Sequence, residues 1–108
     1  MCSSDLSVTT ANRVAAMPDV PTVAEAGVAD YESGIWLGLM APAKTPRPVL
    51  ERLNAEVNRI VSSPEVKETW LKQGTIAMGM STGEFDKFLR DEIVKWAKIV
   101  KLSGAKVD

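Results

Sequence analysis

Residues 34–41, GIWLGLMA, are apolar at nearly every position, and no other stretch limits the fold of this chain so tightly. The run is long enough for a strand and too short for a typical buried helix. A strand without polar alternation is buried on both faces, so it calls for neighbouring strands on either side and helices above and below. Gly38, between Leu37 and Leu39, fits a bulge or a close backbone approach. The expectation is a central strand of a sheet covered by helices.

The rest of the chain supplies helices more readily than strands. Residues 6–10, LSVTT, alternate apolar and polar side chains and predict a short strand. In PDVPTVAEAG, residues 18–27, Pro18 and Pro21 hold the residues before them extended. Thr22 and Glu25 then form a capping-box pattern, and Gly27 suits the left-handed position that ends a helix. The segment therefore predicts a rigid corner carrying one helical turn. Thr45 as cap and Pro46 at the first helical position open a helix over 46–62, with Val49, Leu53, Val57 and Ile60 on one face and Leu50 and Val61 at its edge. Ser63 and Pro64 start a second helix to about Gln73, before Gly74, with Val66, Trp70 and Leu71 inward. Residues 75–80, TIAMGM, fit an edge strand.

A second capping box, Ser81 with Glu84, opens a long helix to Ser103, closed by Gly104. Its apolar stripe runs through Phe85, Phe88, Leu89, Ile93, Trp96, Ile99 and Val100. Glu92 lies inside the stripe and either reaches out along one edge or pairs with Lys95 or Lys98. Val107 is placed to pin the polar tail. The order of elements makes an α/β pattern in which helices dominate and the sheet is incomplete. Its central strand has too few partners in 108 residues. Pairing of sheet edges between two copies, a homodimer, is one way to satisfy it.

Composition narrows the function. Thirteen basic and 14 acidic residues are interleaved to a net charge of −1, so there is no basic patch for nucleic acid or an anionic membrane. With no histidine, and with Cys2 as the one cysteine, the chain has no nucleophile with an adjacent base. Asp19 and Glu25 are explained by turn and cap. GMSTG, residues 79–83, is too short for a phosphate loop. The reading is a protein without enzymatic activity, cofactor or metal. Residues 1–6, MCSSDL, carry no periodicity and read as a leader outside the fold.

Three stretches in their order and spacing carry a resemblance: RVAAMPDVPTVAEAGVADYESGIWLGLMAPAKTPRPVLERLNAEVNRIV, SPEVKETWLKQG and STGEFDKFLRDEIVKWAKIVKLSG. Over residues 6–108 the chain resembles the C-terminal third of the Bug family, the substrate-binding proteins of tripartite tricarboxylate transporters. The resemblance implies the C-terminal portion of a two-lobed type II periplasmic binding protein fold. Residues 7–33 would then be a remnant of the second lobe, and residues 34–108 a crossing strand with helices that complete the first. It further implies a periplasmic location, membrane transporter subunits as partners, and a small carboxylate ligand (a dicarboxylate, citrate or an amino acid) held between the lobes. On that reading Thr22 faces the carboxylate from the rim of the cleft, Tyr31 offers a hydroxyl and Trp36 a flat wall. A chain-reversing loop at Thr22 and core packing at Trp36 are the plainer roles. The opposing reading of the whole chain is a self-associating piece with no ligand.

Overall fold

The structure, a computed structural model, describes residues 6–106. Three helices stand among them: α1, Arg47–Val61; α2, Pro64–Lys72; and α3, Thr82–Ser103. The chain divides into two compact units, one of residues 6–42 with 63–77 and one of residues 43–62 with 78–106. Residues 1–5 of the leader read over 1–6, and the pinning role of Val107, lie outside the described residues.

In the first unit the expected strands do not form. Residues 6–10 are reduced to one parallel bridge, Val8 with Thr22. Residues 34–41 run without regular structure, with Ile35, Leu37 and Leu39 at 98%, 94% and 80% exposure. Residues 75–80, which span both units, are not a strand either. The helix-rich expectation holds, whereas the incomplete sheet becomes no sheet among the described residues. The reason is physical: side-chain pattern is local, but a strand exists only through hydrogen bonds to another strand.

Helix α2 forms as its sequence dictates. The Ser63 hydroxyl accepts from the Val66 amide, and Glu65 in the first turn and Lys72 in the last complement the helix dipole. At its end Gly74 takes φ +74°, which lets Gly74 N–H donate to the Leu71 carbonyl and Thr75 N–H to the Trp70 carbonyl. Val66 is half-buried, while Trp70 and Leu71 remain partly exposed.

The second unit packs α1 against α3. Helix α1 begins one residue later than expected, because Pro46 is extended and serves as the cap position without a side-chain bond; Thr45 is not the cap. The Val49 and Leu50 amides donate to the Pro46 carbonyl, and Pro48 at the second helical position forfeits only an amide with no intrahelical acceptor. The covered face of α1 is Leu50, Asn54, Val57, Asn58 and Val61, and Val61 is 7% exposed. Val49, Leu53 and Ile60, expected inward, form a neighbouring stripe that is about half exposed. Two asparagines decide this rotation. The side-chain amides of Asn54 and Asn58 donate to the Met80 carbonyl at 2.8 and 3.0 Å, which seats the chain before α3 on that face. Gly79 lies close to this pair: a Cβ there would come within 2.8 Å of Asn58 Oδ1, so a larger residue would push the Asn58 side chain aside.

Helix α3 matches its reading closely. The Ser81 hydroxyl accepts from the Glu84 amide, the Glu84 carboxylate accepts from the Ser81 amide, and Gly104 closes the helix at φ +69°. Phe85, Phe88 and Leu89 are half-buried, with the two rings stacked 6.4 Å apart. Glu92 takes the paired alternative: it accepts from the Trp96 indole N–H at 2.9 Å and lies 3.6 Å from Lys95 Nζ. The stripe beyond Glu92 is more open, with Ile93, Trp96, Ile99 and Val100 exposed.

Candidate functional site

The corner around Thr22 is held by a dense set of hydrogen bonds. Its outer wall is built by the prolines and by turns in which Met17 N–H donates to the Val14 carbonyl and Val20 N–H to the Met17 carbonyl. Val8 holds the corner from the other side: its amide donates to the Pro21 carbonyl and its carbonyl accepts from Val23, both at 2.9 Å. The capping box is complete, with Glu25 N–H donating to Thr22 Oγ1 at 3.1 Å and Thr22 N–H to Glu25 Oε2 at 3.3 Å. One turn comes next, from Ala26 N–H to the Thr22 carbonyl, before Gly27 takes φ +122°.

Arg13 completes the cluster, and nothing in the spacing of the sequence announces it. Its Nε donates to Glu25 Oε2 at 2.9 Å and its Nη1 to the Pro18 carbonyl at 3.1 Å. The guanidinium hydrogen bond, aided by the Thr22 amide and opposed by slight desolvation, holds the Glu25 carboxyl below the usual carboxylate range. Arg13 and Glu25 thus cancel each other's charge at the corner.

The segment after the corner is clamped as well. Val28 N–H donates to the Val23 carbonyl, Tyr31 N–H to the Val28 carbonyl, and Ser33 N–H to the Thr9 carbonyl at 2.8 Å. Val8 and Thr9 therefore grip both ends of the loop 22–33. Asp30 turns the chain in the left-handed region, φ +58°, which a short polar side chain tolerates.

The three residues singled out from the sequence sit differently on this frame. Thr22 is 1% exposed, with its hydroxyl accepting the Glu25 amide inside the corner. Tyr31, 41% exposed, is carried by the clamped loop. Trp36 is half-buried in the irregular run that leaves it. Thr22 and Tyr31 are joined through backbone bonds alone, by way of Val23 and Val28. Among the described residues there is no group of three or more His, Cys, Asp or Glu able to hold a metal ion, and no helix is long and apolar enough to cross a membrane. In the second unit, an open groove on α1 lined by Pro48, Val49, Arg52, Leu53 and Glu56 runs along the half-exposed apolar stripe and encloses nothing.

The model of the tripartite tricarboxylate transporter family receptor matches residues 4–105. The chain belongs to this receptor family. Among its relatives, the UPF0065 protein in the tcbD-tcbE intergenic region of Pseudomonas sp. (strain P51) is 38% identical over 96 residues, covering 88% of this chain and 29% of its own length. Protein BugT of Bordetella pertussis (strain Tohama I) is 31% identical over 102 residues, 94% of this chain and 31% of its own. A solved structure, R. palustris Rpa4515 with adipate, matches with a TM-score of 0.83 at 33% identity, covering 92% of this chain and 33% of that one. The chain thus spans about a third of the length of these three proteins, and the Bug resemblance read from the sequence stands.

Proposed function

We propose that this chain contributes the Thr22 corner and the loop 22–33 to the carboxylate-binding part of an extracytoplasmic transport receptor. The observation that carries the reading is the likeness to the adipate-bound R. palustris structure, with 92% of the chain aligned at 33% identity. Adipate is a small dicarboxylate, and a dicarboxylate is held by fixed hydrogen-bond donors in a site that excludes water. The loop supports this role because both of its ends are tied to Val8 and Thr9, so ordering it on binding costs little. In this reading Thr22 acts by fixing the corner amides, Tyr31 supplies a hydroxyl, and Trp36 forms an apolar wall for the methylene chain of the ligand. Residues 7–33 belong to one lobe and residues 34–108 to the other, the location is the periplasm, and membrane transporter subunits receive the ligand.

The test is calorimetric titration with adipate, succinate and citrate. The chain by itself binds none of them tighter than millimolar, since a cleft needs both walls. When it replaces the matching third of R. palustris Rpa4515, the chimera binds adipate, and Thr22→Val weakens binding by more than its loss of thermal stability explains. Equal affinity in that variant removes Thr22 from the site, and micromolar binding by the chain alone overturns the two-walled cleft.

A further inference from the structure

Arg13 ties the chain entering the Thr22 corner to the turn that leaves it. Among the described residues, residues 14–20 hydrogen-bond otherwise only to one another, Met17 to Val14 and Val20 to Met17. Their one bond beyond the segment is at the Pro18 carbonyl, which accepts from Arg13 Nη1 at 3.1 Å. The same guanidinium donates through Nε to Glu25 Oε2 at 2.9 Å, and that oxygen also accepts the Thr22 amide at 3.3 Å. One planar group therefore spans the corner from Pro18 to Glu25 and sets the Glu25 carboxylate against the Thr22 amide.

Arg13 is itself held in place. The Val8 amide donates to the Pro21 carbonyl, and the Val8 carbonyl accepts from Val23. The Thr10 hydroxyl donates to the Asn12 carbonyl at 2.7 Å, bending the chain just before Arg13. Residues 8–13 thus hold the corner twice, by backbone at Val8 and by side chain at Arg13. An arginine beside a carboxylate-binding loop invites a role as the ligand's counter-ion. Its bonds oppose that role: two of its nitrogens are engaged by protein acceptors, and its charge is already met by Glu25, with both side chains about half exposed. A ligand could use the guanidinium only by displacing Glu25 and loosening the cap on Thr22.

We propose that Arg13 is a positioning residue, acting through Glu25 and Pro18 to keep the Thr22 corner and the loop 22–33 in their binding-competent form before a carboxylate arrives. This inference rests on the carboxylate-binding role proposed above for the corner. Its consequence is kinetic. When a side chain keeps a site competent without touching the ligand, its loss lowers the competent fraction, and apparent affinity falls by that fraction through association. Loss of a group that touches the ligand speeds dissociation instead.

The experiment uses the chimera in which this chain replaces the matching third of R. palustris Rpa4515, with adipate as the probe and stopped-flow mixing to separate the rate constants. Arg13→Ala weakens adipate binding about fivefold, the scale of one half-exposed ion pair. The fall lies in the association rate constant, and the dissociation rate constant is unchanged. Without ligand, the Glu25 and Ala26 amides exchange faster in the variant, while those of α3 do not. Glu25→Ala has a similar effect, and the double variant loses less than the product of the two single factors. Arg13→Lys, which keeps the charge without the two-nitrogen fork, binds no more than about twofold tighter than Arg13→Ala. Unchanged affinity in Arg13→Ala overturns the proposal. So does faster dissociation, which would make Arg13 a ligand contact, or single effects that multiply in full, or recovery by lysine beyond that margin, which would make the charge the working part. All of these leave the carboxylate-binding reading standing. A parental chimera that binds no adipate overturns that reading, and this proposal with it.

Discussion

The corner at Thr22 and the start of α3 use the same device and arrive at different structures. In each, a hydroxyl accepts the amide three residues on and a glutamate reaches back to the amide of the capping residue. From Ser81 the box launches 22 residues of helix. From Thr22 it launches a single turn. A capping box starts a helix, and the residues downstream of the box determine its length. After Ser81 the helix passes through Gly83 in its first turn, carries on along an apolar stripe that meets α1, and meets its terminating left-handed glycine only at residue 104. After Thr22 a glycine arrives within five residues, and the sequence beyond it, VADYESG, has no helical period. The two boxes also differ in setting: Thr22 is buried and braced by Arg13 and Val8, whereas Ser81 is exposed.

That difference in setting is the first thing to break. Thr22→Val removes the hydroxyl from a buried cap and lowers the free energy of local opening by about 2 kcal/mol, against about 1 kcal/mol for Ser81→Ala. Hydrogen exchange measures both, with the Val8 and Val23 amides exchanging roughly thirtyfold faster in the Thr22 variant. Equal effects at the two sites would mean that burial adds nothing to the corner.

The terminating glycines sharpen the role assigned to the downstream sequence. Alanine at Gly27, φ +122°, or at Gly104, φ +69°, costs about 1 kcal/mol in each case through backbone strain. Neither substitution raises ellipticity at 222 nm. A gain in helix with Gly27→Ala would show that the glycine alone limits the turn.

The smallest effect is on pH dependence. Glu25 is held below the usual carboxylate range first by Arg13 and then by the Thr22 amide, and Glu84 by the Ser81 amide and hydroxyl. A depressed folded value means that each carboxylate adds stability in full above the unfolded glutamate value of about 4.3, and that this contribution is lost as pH falls through the lower folded value. Glu25→Gln and Glu84→Gln therefore each flatten the acid limb of the stability curve below that point and leave its neutral region unchanged in slope. Arg13→Gln raises the Glu25 value alone, which carbon-detected titration resolves. An unshifted Glu25 in that variant would assign its low value to the cap.

Helix limits, both capping boxes and the glycine stops were legible in single stretches of sequence, because a cap involves residues three apart and a helix bonds residues four apart. The stripe of α3 through Phe88 was legible for the same reason. Tertiary structure decided the rest. Whether residues 34–41 become a strand depends on a partner that no side-chain pattern contains, and the face of α1 that is covered depends on Asn54 and Asn58 reaching Met80, 26 and 22 residues away. The Thr22 corner shows the division within one motif. Its box was written locally in Thr22 and Glu25, whereas the Arg13 brace and the Val8 bridge, 12 and 14 residues from their partners, exist only once the chain has folded back on itself. Local hydrogen bonds are set by spacing, and distant ones by the path of the chain between them.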